Sequence, residues 1–180
     1  MSAPDDAPEE ALDVRVVGVV LRRARVDNPW IDHAWSVEAV LPEAPAAEPG
    51  ASLGREGDAE LIYAGAASIE LFKSETGNYR DNLAEGSPFL WVAFRELADG
   101  GVEVAGVTAD PTEGESLFEA GAQVGKAAMP PALAGWIADY VERFHVERVF
   151  VKRQRDKSGP DPRKNPGARR GPGSGSGGLH

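Results

Sequence analysis

Runs rich in valine and leucine, followed by a regular alternation of apolar and polar positions, predict that the chain begins with a β-hairpin. The β-branched density of residues 14–26 favours a strand that is buried on both faces at first and reaches the surface at residues 22–25. Residues 34–41 alternate with a period of two, which is typical of a second strand. The short polar turn between the two runs completes the hairpin pattern.

Three further strands are predicted later in the chain. Residues 60–72 alternate, and the small residues at 64–68 allow a bend, a bulge or the close approach of another layer. Residues 89–97 are strongly apolar. The turn Asp99-Gly100-Gly101 joins them to a strand at 102–108, because glycine supplies the positive φ that tight hairpin turns need.

Two segments lack a clear hydrophobic period and are predicted to be loops. Residues 42–58 run through Pro, Ala, Glu and Gly in rough alternation, so we expect a mobile loop of low apolar content. Residues 73–87 are polar and rich in hydrogen-bonding side chains, and this segment has room for a short helix.

Two helices are predicted after the last strand. Asp110 is a good N-cap, Pro111 suits the first helical position and Glu113 follows the cap by three residues, so a short helix should run to about Ala120 and stop at Gly121. A second helix follows the two consecutive prolines at 130–131. Its apolar face is formed by Leu133, Trp136, Ile137, Tyr140, Val141 and Phe144.

These elements predict an α+β fold with a mainly antiparallel, curled or barrel-like sheet of five or more strands, covered by the C-terminal helix. We assign residues 14–150 to a single domain. Residues 1–13 are acidic and are expected to be disordered, because they offer little apolar surface to offset the entropy of ordering. Residues 151–180 are basic and then rich in Gly and Ser, and are expected to form a disordered tail.

Composition excludes several chemistries. The chain has no Cys, which rules out disulfides, thiolate metal sites and a cysteine nucleophile, and suits a reducing compartment. The N-terminal residues do not resemble a signal peptide, and the apolar runs are only strand-length, so we expect a cytoplasmic protein without a membrane span.

Charge is distributed unevenly along the chain. Residues 1–146 hold 10 Lys/Arg and 26 Asp/Glu, a net charge of −16, whereas residues 147–180 hold 9 and 3, a net charge of +6. The basic residues Lys152, Arg153 and Arg155 are candidates for binding an acidic protein face, an anionic lipid or nucleic acid, or for a solubilising role. Because the acidic body repels nucleic acid, a protein or intramolecular partner is favoured.

The turn between the first two strands concentrates candidate binding residues. Asp27, Asn28 and Pro29 are turn formers, and the two tryptophans Trp30 and Trp35 are of a type enriched at interfaces. Trp35 shares a face with apolar positions of its strand, which favours a core role for it. For Trp30, core packing and binding are equally compatible with the sequence.

A second candidate region is the polar segment 73–87. Its polar side chains could line a pocket, although a solvated loop is the favoured interpretation; these side chains are Glu75, Tyr79, Arg80, Asp81 and Asn82. We hypothesise that a small-ligand site lies between this segment and the Asn28–Trp35 turn.

Catalytic and metal motifs are not recognisable in the sequence. Asp32 and His33 could form an acid–base pair or half a metal site, but neighbours in a strand point to opposite faces, and nothing indicates that His145 joins them. The chain contains neither a Gly-x-Ser-x-Gly elbow nor a Gly-Lys-Ser/Thr phosphate loop. We therefore predict no catalytic residue, no metal and no cofactor, and favour a non-enzymatic role while leaving an enzymatic one open.

The order and spacing of many residues resemble those of an uncharacterised proteobacterial family, a domain of unknown function. The resemblance covers roughly residues 14–156. It depends on Asp27-Asn28-Pro29-Trp30, Trp35, Val40-Leu41-Pro42, Glu75, Tyr79, Asn82, Pro88, Leu90-Trp91-Val92, Val107-Thr108, Asp110-Pro111, Glu113, Met129-Pro130-Pro131, Trp136, His145, Phe150 and Lys152-Arg153.

The resemblance implies a role beside molybdenum-dependent formate dehydrogenases, since genes of this family tend to lie near those for these enzymes and their chaperones. We therefore expect a non-enzymatic accessory or assembly protein whose partner is a molybdoenzyme subunit or a maturation factor. The alternative is a small-ligand or cofactor-binding domain linked to molybdopterin cofactor handling. The sequence leaves the oligomeric state open.

Overall fold

The computed structural model describes residues 13–146. The strands are β1 (Asp13–Arg25), β2 (His33–Leu41), β3 (Ser52–Glu56), β4 (Ala59–Leu71), β5 (Phe89–Glu96), β6 (Val102–Thr108) and β7 (Gln123–Ala128). The helices are α1 (Thr76–Ala84), which follows a 3₁₀ turn at Lys73–Glu75, α2 (Pro111–Glu119) and α3 (Pro131–Phe144). In this part of the chain, none of the helices has the length and apolar character needed to cross a membrane. The expectations for residues 1–12 and for the basic tail with Lys152, Arg153 and Arg155 lie outside the described residues.

The strands form two antiparallel sheets. One sheet has four strands in the order β2-β1-β4-β3, and the other has three in the order β6-β5-β7. The α+β class and the antiparallel arrangement are confirmed, but the expectation of one curled or barrel-like sheet is wrong. The two sheets meet where the edge strand β2 of one packs closely against the edge strand β7 of the other. The Val37 side chain of β2 fills the space above Gly125 of β7, where an added Cβ would lie 2.6 Å from Val37 Cγ2. This contact is made by a side chain and not by a hydrogen-bonded ladder.

The predicted irregularity in the third sequence run is confirmed as a bulge in β4. Opposite Val19 and Val20 of β1, the ladder passes from Gly65 to Tyr63, so Ala64 is the extra residue. Gly65 has a φ of +128°, which only glycine adopts readily. The bulge reverses the alternation of β4. Tyr63 lies on the outer face, where its ring is beside Gly18 and Pro45, whereas Ala64 belongs to the core cluster, and both are buried.

The start of β1 differs from the prediction that both faces are buried. Val14 and Val16 are 48% and 54% exposed, because their outward face has no covering layer at this point of the sheet. The opposite face is covered by α3: Trp136 donates a hydrogen bond from Nε1 to Asp13 Oδ2 at 2.9 Å, and the Arg15 guanidinium lies 4.9 Å from the Trp136 ring centre.

Residues 42–58 do not form only a loop. Residues 42–51 lie against the outer face of the sheet, where Pro45 occupies the space left by the missing side chain of Gly18. Backbone hydrogen bonds fix the segment, from Gly50 N to Tyr63 O at 2.7 Å and from Tyr63 N to Ala51 O at 2.9 Å. The fully exposed strand β3 then pairs with β4. Its stability comes from ladder hydrogen bonds, which leave no hydrophobic pattern in the sequence.

Both helices predicted in the C-terminal third are confirmed. Asp110 Oδ1 accepts a hydrogen bond from Thr112 N at 2.8 Å, and α2 begins at Pro111. Glu113 does not bond back to the backbone N–H of the cap residue Asp110, because that N–H donates to the Thr108 hydroxyl. The Thr108 hydroxyl in turn donates to the Glu113 carboxylate at 2.6 Å. The apolar face of α3 is buried in a core that both sheets share.

The helix α1 packs against α3 and completes the cover of the core. The rings of Tyr79 and Tyr140 meet edge to face, with their centres 6.4 Å apart, and the Tyr140 hydroxyl donates to Leu71 O at 3.1 Å. The C-terminal helix therefore does not cover the strands alone, because a second helix lies beside it. The position of α1 also decides where the polar residues of segment 73–87 point.

Candidate binding site

Asn82 ties α1 to the second sheet. Its side-chain amide donates to Phe89 O at 2.7 Å and to Ala109 O at 3.0 Å, and its Oδ1 accepts from Phe89 N at 3.1 Å. The residue is 4% exposed, so these bonds form away from bulk water. They satisfy backbone groups at the start of β5 and at the junction between β6 and α2.

The other candidate residues of this segment also make internal contacts. Tyr79 is buried and its hydroxyl accepts a hydrogen bond from Phe72 N at 3.3 Å; burial raises its pKa above the ordinary value. Glu75 accepts a bond from the Asn78 amide, which also reaches Asp110, at 3.0 Å in each case. Arg80 Nη1 lies 2.9 Å from Nε2 of His145. These contacts hold α1 in place.

The turn between β1 and β2 presents Trp30 to solvent. Asn28 Oδ1 accepts the Trp30 backbone N–H at 2.9 Å, and the Trp30 side chain is 89% exposed. Asp27 is exposed beside it. Trp35 is different: it packs against the core, and the guanidinium of Arg23 lies 5.7 Å from its ring centre.

The two candidate regions lie at opposite ends of β1. Asp13 pairs with Leu71, just before α1, whereas Arg25 pairs with His33, just after the turn. Twelve residue steps of strand separate these ends by roughly 40 Å. The hypothesis of one small-ligand site between the Asn28–Trp35 turn and the Glu75–Asn82 segment is therefore wrong. The two histidines are separated in the same way, since His33 pairs with Arg25 and His145 contacts Thr76 of α1. Across residues 13–146, no three or more His, Asp and Glu side chains are grouped so that they could hold a metal ion.

A pocket of about 650 Å³ lies on the other side of α1, between this helix, α2, β5 and β7. Its walls are close together because α2 crosses β5 at a glycine: a Cβ on Gly114 would lie 2.6 Å from the Trp91 ring. The pocket is lined by Asp81, Asn82, Glu85, Phe89, Trp91, Pro111, Gly114, Glu115, Phe118, Glu119, Val124, Gly125 and Lys126.

Aromatic side chains form the apolar surface of this pocket. Phe89 and Trp91 are half-buried neighbours on β5, and Lys126 pairs with Trp91 in the ladder to β7. The Lys126 ammonium lies 5.1 Å from the Trp91 ring centre and 5.9 Å from that of Phe89. Phe118 on α2 is 65% exposed. Phe89, Trp91 and Phe118 together form an aromatic platform. Two of its rings already contact one cation, Lys126, and the exposed ring of Phe118 is free for a ligand.

Carboxylates surround this platform. Asp81 and Glu85 are one turn apart on or just after α1, and Glu115 and Glu119 are one turn apart on α2; all four are exposed. Lys126 is the only cation among the lining residues, so the pocket has a formal charge of −3. A concave surface with one sign of charge raises the local concentration of oppositely charged groups. The pocket is suited to a cationic ligand that also carries apolar area.

The pocket lining has no hydroxyl and no imidazole side chain. Histidine, serine, threonine and tyrosine are all missing from the residues that line the pocket, so it contains neither a nucleophilic hydroxyl nor an imidazole base. Of the candidate residues from the sequence, it includes Asp81 and Asn82. The sequence does contain one signal for the site, namely the carboxylates of Glu115 and Glu119 flanking Phe118 on the outer face of a short helix.

The structure is thus an α+β domain of two antiparallel sheets with an open pocket lined by carboxylates and aromatic rings. The chain belongs to the family described as "Protein of unknown function (DUF3305)", whose model matches residues 16–154. No curated protein and no solved structure shows significant similarity to the chain. The family membership supports the resemblance to an uncharacterised domain, while the proteobacterial origin and the link to formate dehydrogenase stay predictions.

Proposed function

We propose that this protein is a non-enzymatic accessory protein that binds a basic segment of a partner protein in the pocket between α1 and α2. The observation that carries this proposal is the combination of the exposed Phe118, the half-buried rings of Phe89 and Trp91 and a formal charge of −3 in one cavity of about 650 Å³. An arginine or lysine side chain can place its charge among the carboxylates and its carbon stem on the rings.

The energies favour a partner that makes several contacts. A cation–π contact at an exposed site contributes about 0.5–1 kcal/mol, and an exposed ion pair contributes about 0.2–1 kcal/mol. Covering the exposed Phe118 adds up to roughly 2 kcal/mol. A single free amino acid would therefore bind weakly. A peptide segment with two or three cations and an apolar anchor can reach affinities on the order of micromolar.

The family resemblance supplies a candidate for the partner. We propose that the bound segment belongs to a molybdenum-dependent formate dehydrogenase or to one of its maturation factors. The volume of the pocket also supports a second candidate function, a small-ligand-binding domain, because about 650 Å³ lies within the ~300–1,000 Å³ range of small-molecule sites. Its formal charge of −3 favours a cationic ligand over the phosphate-bearing molybdopterin cofactor.

The test is a quantitative pull-down from the native host with the full chain and a matched pair of variants. Phe118→Ala combined with Glu115→Lys and Glu119→Lys removes the anchor and reverses the charge of one wall. The control combines Glu43→Lys with Glu48→Lys, which makes the same change of charge in the exposed part of the 42–51 segment. A chain truncated after residue 150 separates the pocket from the basic tail.

We expect formate dehydrogenase subunits or maturation factors to be recovered with the wild-type and control chains and to be lost with the pocket variant. Recovery of these proteins with the pocket variant would contradict the pocket as the binding site. Recovery of neither subunits nor maturation factors by the wild-type chain would contradict the proposed partner. A small molecule that co-purifies with the wild-type chain and not with the pocket variant would favour the second candidate.

A further inference from the structure

The inner face of the four-stranded sheet continues beyond the end of the core. Val17, Val19 and Leu21 of β1 are fully buried on this face. Because side chains of a strand alternate, Arg23 and Arg25 occupy the next two positions on the same face. The apolar stripe of β1 thus changes into a row of guanidinium groups within one strand.

Cross-strand neighbours extend this row into a cleft. Arg25 pairs with His33 of β2, and Glu60 of β4 pairs with both Arg23 and Arg55 on either side. The cleft has a volume of about 230 Å³ and is lined by Arg23, Arg25, His33, Arg55, Gly57, Asp58, Ala59 and Glu60. It is distinct from the acidic pocket, which lies between α1, α2, β5 and β7.

The cleft lining holds three arginines against the carboxylates of Asp58 and Glu60, so only part of its positive charge is compensated, and its formal charge with His33 neutral is +1. Arg23 forms an ion pair with Glu60, and hydrogen bonds from Ser52 and Arg23 lower the pKa of the Glu60 carboxyl, so that it is ionised at neutral pH. Arg25, His33 and Arg55 make no hydrogen bond or ion pair within 4.0 Å to any side chain of residues 13–146. Like charges on neighbouring strands repel each other, so this arrangement favours a bound anion.

The concentration of arginine here is unusual for such an acidic domain. Residues 13–146 contain 10 Lys/Arg and 22 Asp/Glu, and four of those ten, Arg22, Arg23, Arg25 and Arg55, are at this end of the sheet. Guanidinium groups bind oxyanions through paired N–H donors, which makes them the preferred side chains for phosphate and carboxylate recognition. A concave surface strengthens their joint field.

We propose that this cleft binds the phosphate group of a small phosphorylated ligand, with Arg25 and Arg55 as its main donors and His33 as a third. The volume of about 230 Å³ accommodates a phosphate group with a few water molecules. A whole nucleotide would extend out of the cleft. This inference is independent of the function proposed for the acidic pocket.

The experiment is an NMR titration of the full-length chain with inorganic phosphate and, separately, with glycerol 3-phosphate, both at constant ionic strength. A parallel titration with NaCl measures the effect of screening alone. We expect saturable shifts of amides in residues 23–33 and 55–60, with a dissociation constant on the order of 1 mM for the group alone. Tighter binding of glycerol 3-phosphate would identify a phosphomonoester as the ligand, and equal binding would identify free phosphate.

The variants test the donors directly. Arg25→Gln with Arg55→Gln should weaken binding by at least about tenfold, which corresponds to the loss of two charge-assisted hydrogen bonds. Arg95→Gln, an exposed arginine of β5 on the other sheet, is the matched control and should bind as the wild type does. If the double variant does not fold, Arg25→Lys with Arg55→Lys keeps the charge and removes the paired donors, and should also bind more weakly. Shifts that NaCl reproduces, or equal binding by the double variant and the control, would overturn the proposal.

Discussion

Replacing Asn82 tests whether the polar residues of α1 are structural or bind a ligand. The side chain makes three hydrogen bonds, all to backbone groups, at 2.7, 3.0 and 3.1 Å, and it is 4% exposed. Asn82→Ala would leave Phe89 N, Phe89 O and Ala109 O without these partners. We therefore expect a loss of stability and not primarily a loss of binding.

The size of the loss follows from the number of bonds. Each intramolecular hydrogen bond contributes about 1 kcal/mol net, and a buried group left unpaired costs about 1–3 kcal/mol. Asn82→Ala should lower the free energy of unfolding by about 3–5 kcal/mol. Because small domains are stable by only about 5–15 kcal/mol, the melting temperature should fall by roughly 10–20 °C.

The isosteric change Asn82→Asp gives a sharper version of the same test. The carboxylate keeps the acceptor for Phe89 N but places a negative oxygen against two carbonyl oxygens, which raises the pKa of the new carboxyl in the folded state. The penalty is thus smallest below the unfolded pKa of about 3.9 and grows as the pH rises above it.

Urea denaturation of wild type, Asn82→Ala and Asn82→Asp at pH 4 and pH 7 measures these effects. The aspartate variant should be closer to wild type at pH 4 than at pH 7. An alanine variant that loses less than about 1 kcal/mol would refute the structural role, and a pH-independent penalty for the aspartate variant would refute the assigned donor geometry.

Three other predictions follow from named contacts. Because burial raises the pKa of Tyr79, its hydroxyl keeps its proton above pH 10 in the folded chain and loses it in the unfolded chain. Urea denaturation between pH 8 and pH 11 should therefore show that the free energy of unfolding falls as the pH rises. The fall should be smaller for Tyr79→Phe. Gly114→Ala should lower the free energy of unfolding by about 1–3 kcal/mol in chemical denaturation, because the new Cβ meets the Trp91 ring. Gly77→Ala in α1 has open space around it and should leave this free energy unchanged or raise it by up to ~1 kcal/mol. Equal effects of the two substitutions would contradict the packing of α2 on β5. Trp30→Ala should change the free energy of unfolding in urea by less than about 0.5 kcal/mol, because the side chain is 89% exposed. A larger loss would show that Trp30 packs in the core.

The elements that could be predicted are those whose pattern is local. The cap at Asp110 and the apolar face of α3 are written in spacings of three and four residues, and both are found in the structure. The strand β4 was also recognisable from its alternation, and its bulge from the small residues within it. In each case neighbouring residues alone supply the physical cause.

Only a small part of the candidate site could be predicted from the sequence, namely the polar residues Asp81 and Asn82. Asp81 and Glu85 lie at the end of α1, a helix with weak periodicity that is fixed in position by hydrogen bonds of Asn82 and Asn78 to distant segments. Phe89 and Trp91 look like ordinary core positions of an apolar strand. Only the crossing of α2 over Trp91 at Gly114 leaves these rings at the floor of an open pocket.

The sequence by itself determined the class of the fold, most of the strands, the two C-terminal helices and the separation of charge, because these depend on local periodicity, turn chemistry and residue counts. Only the tertiary structure decided that there are two sheets, that β3 and β7 exist, and that the Asn28–Trp35 turn lies at the far end of β1 from α1. The physical reason is that ladder hydrogen bonds and close contacts between distant residues set these features. Neither leaves a periodic signal along the chain.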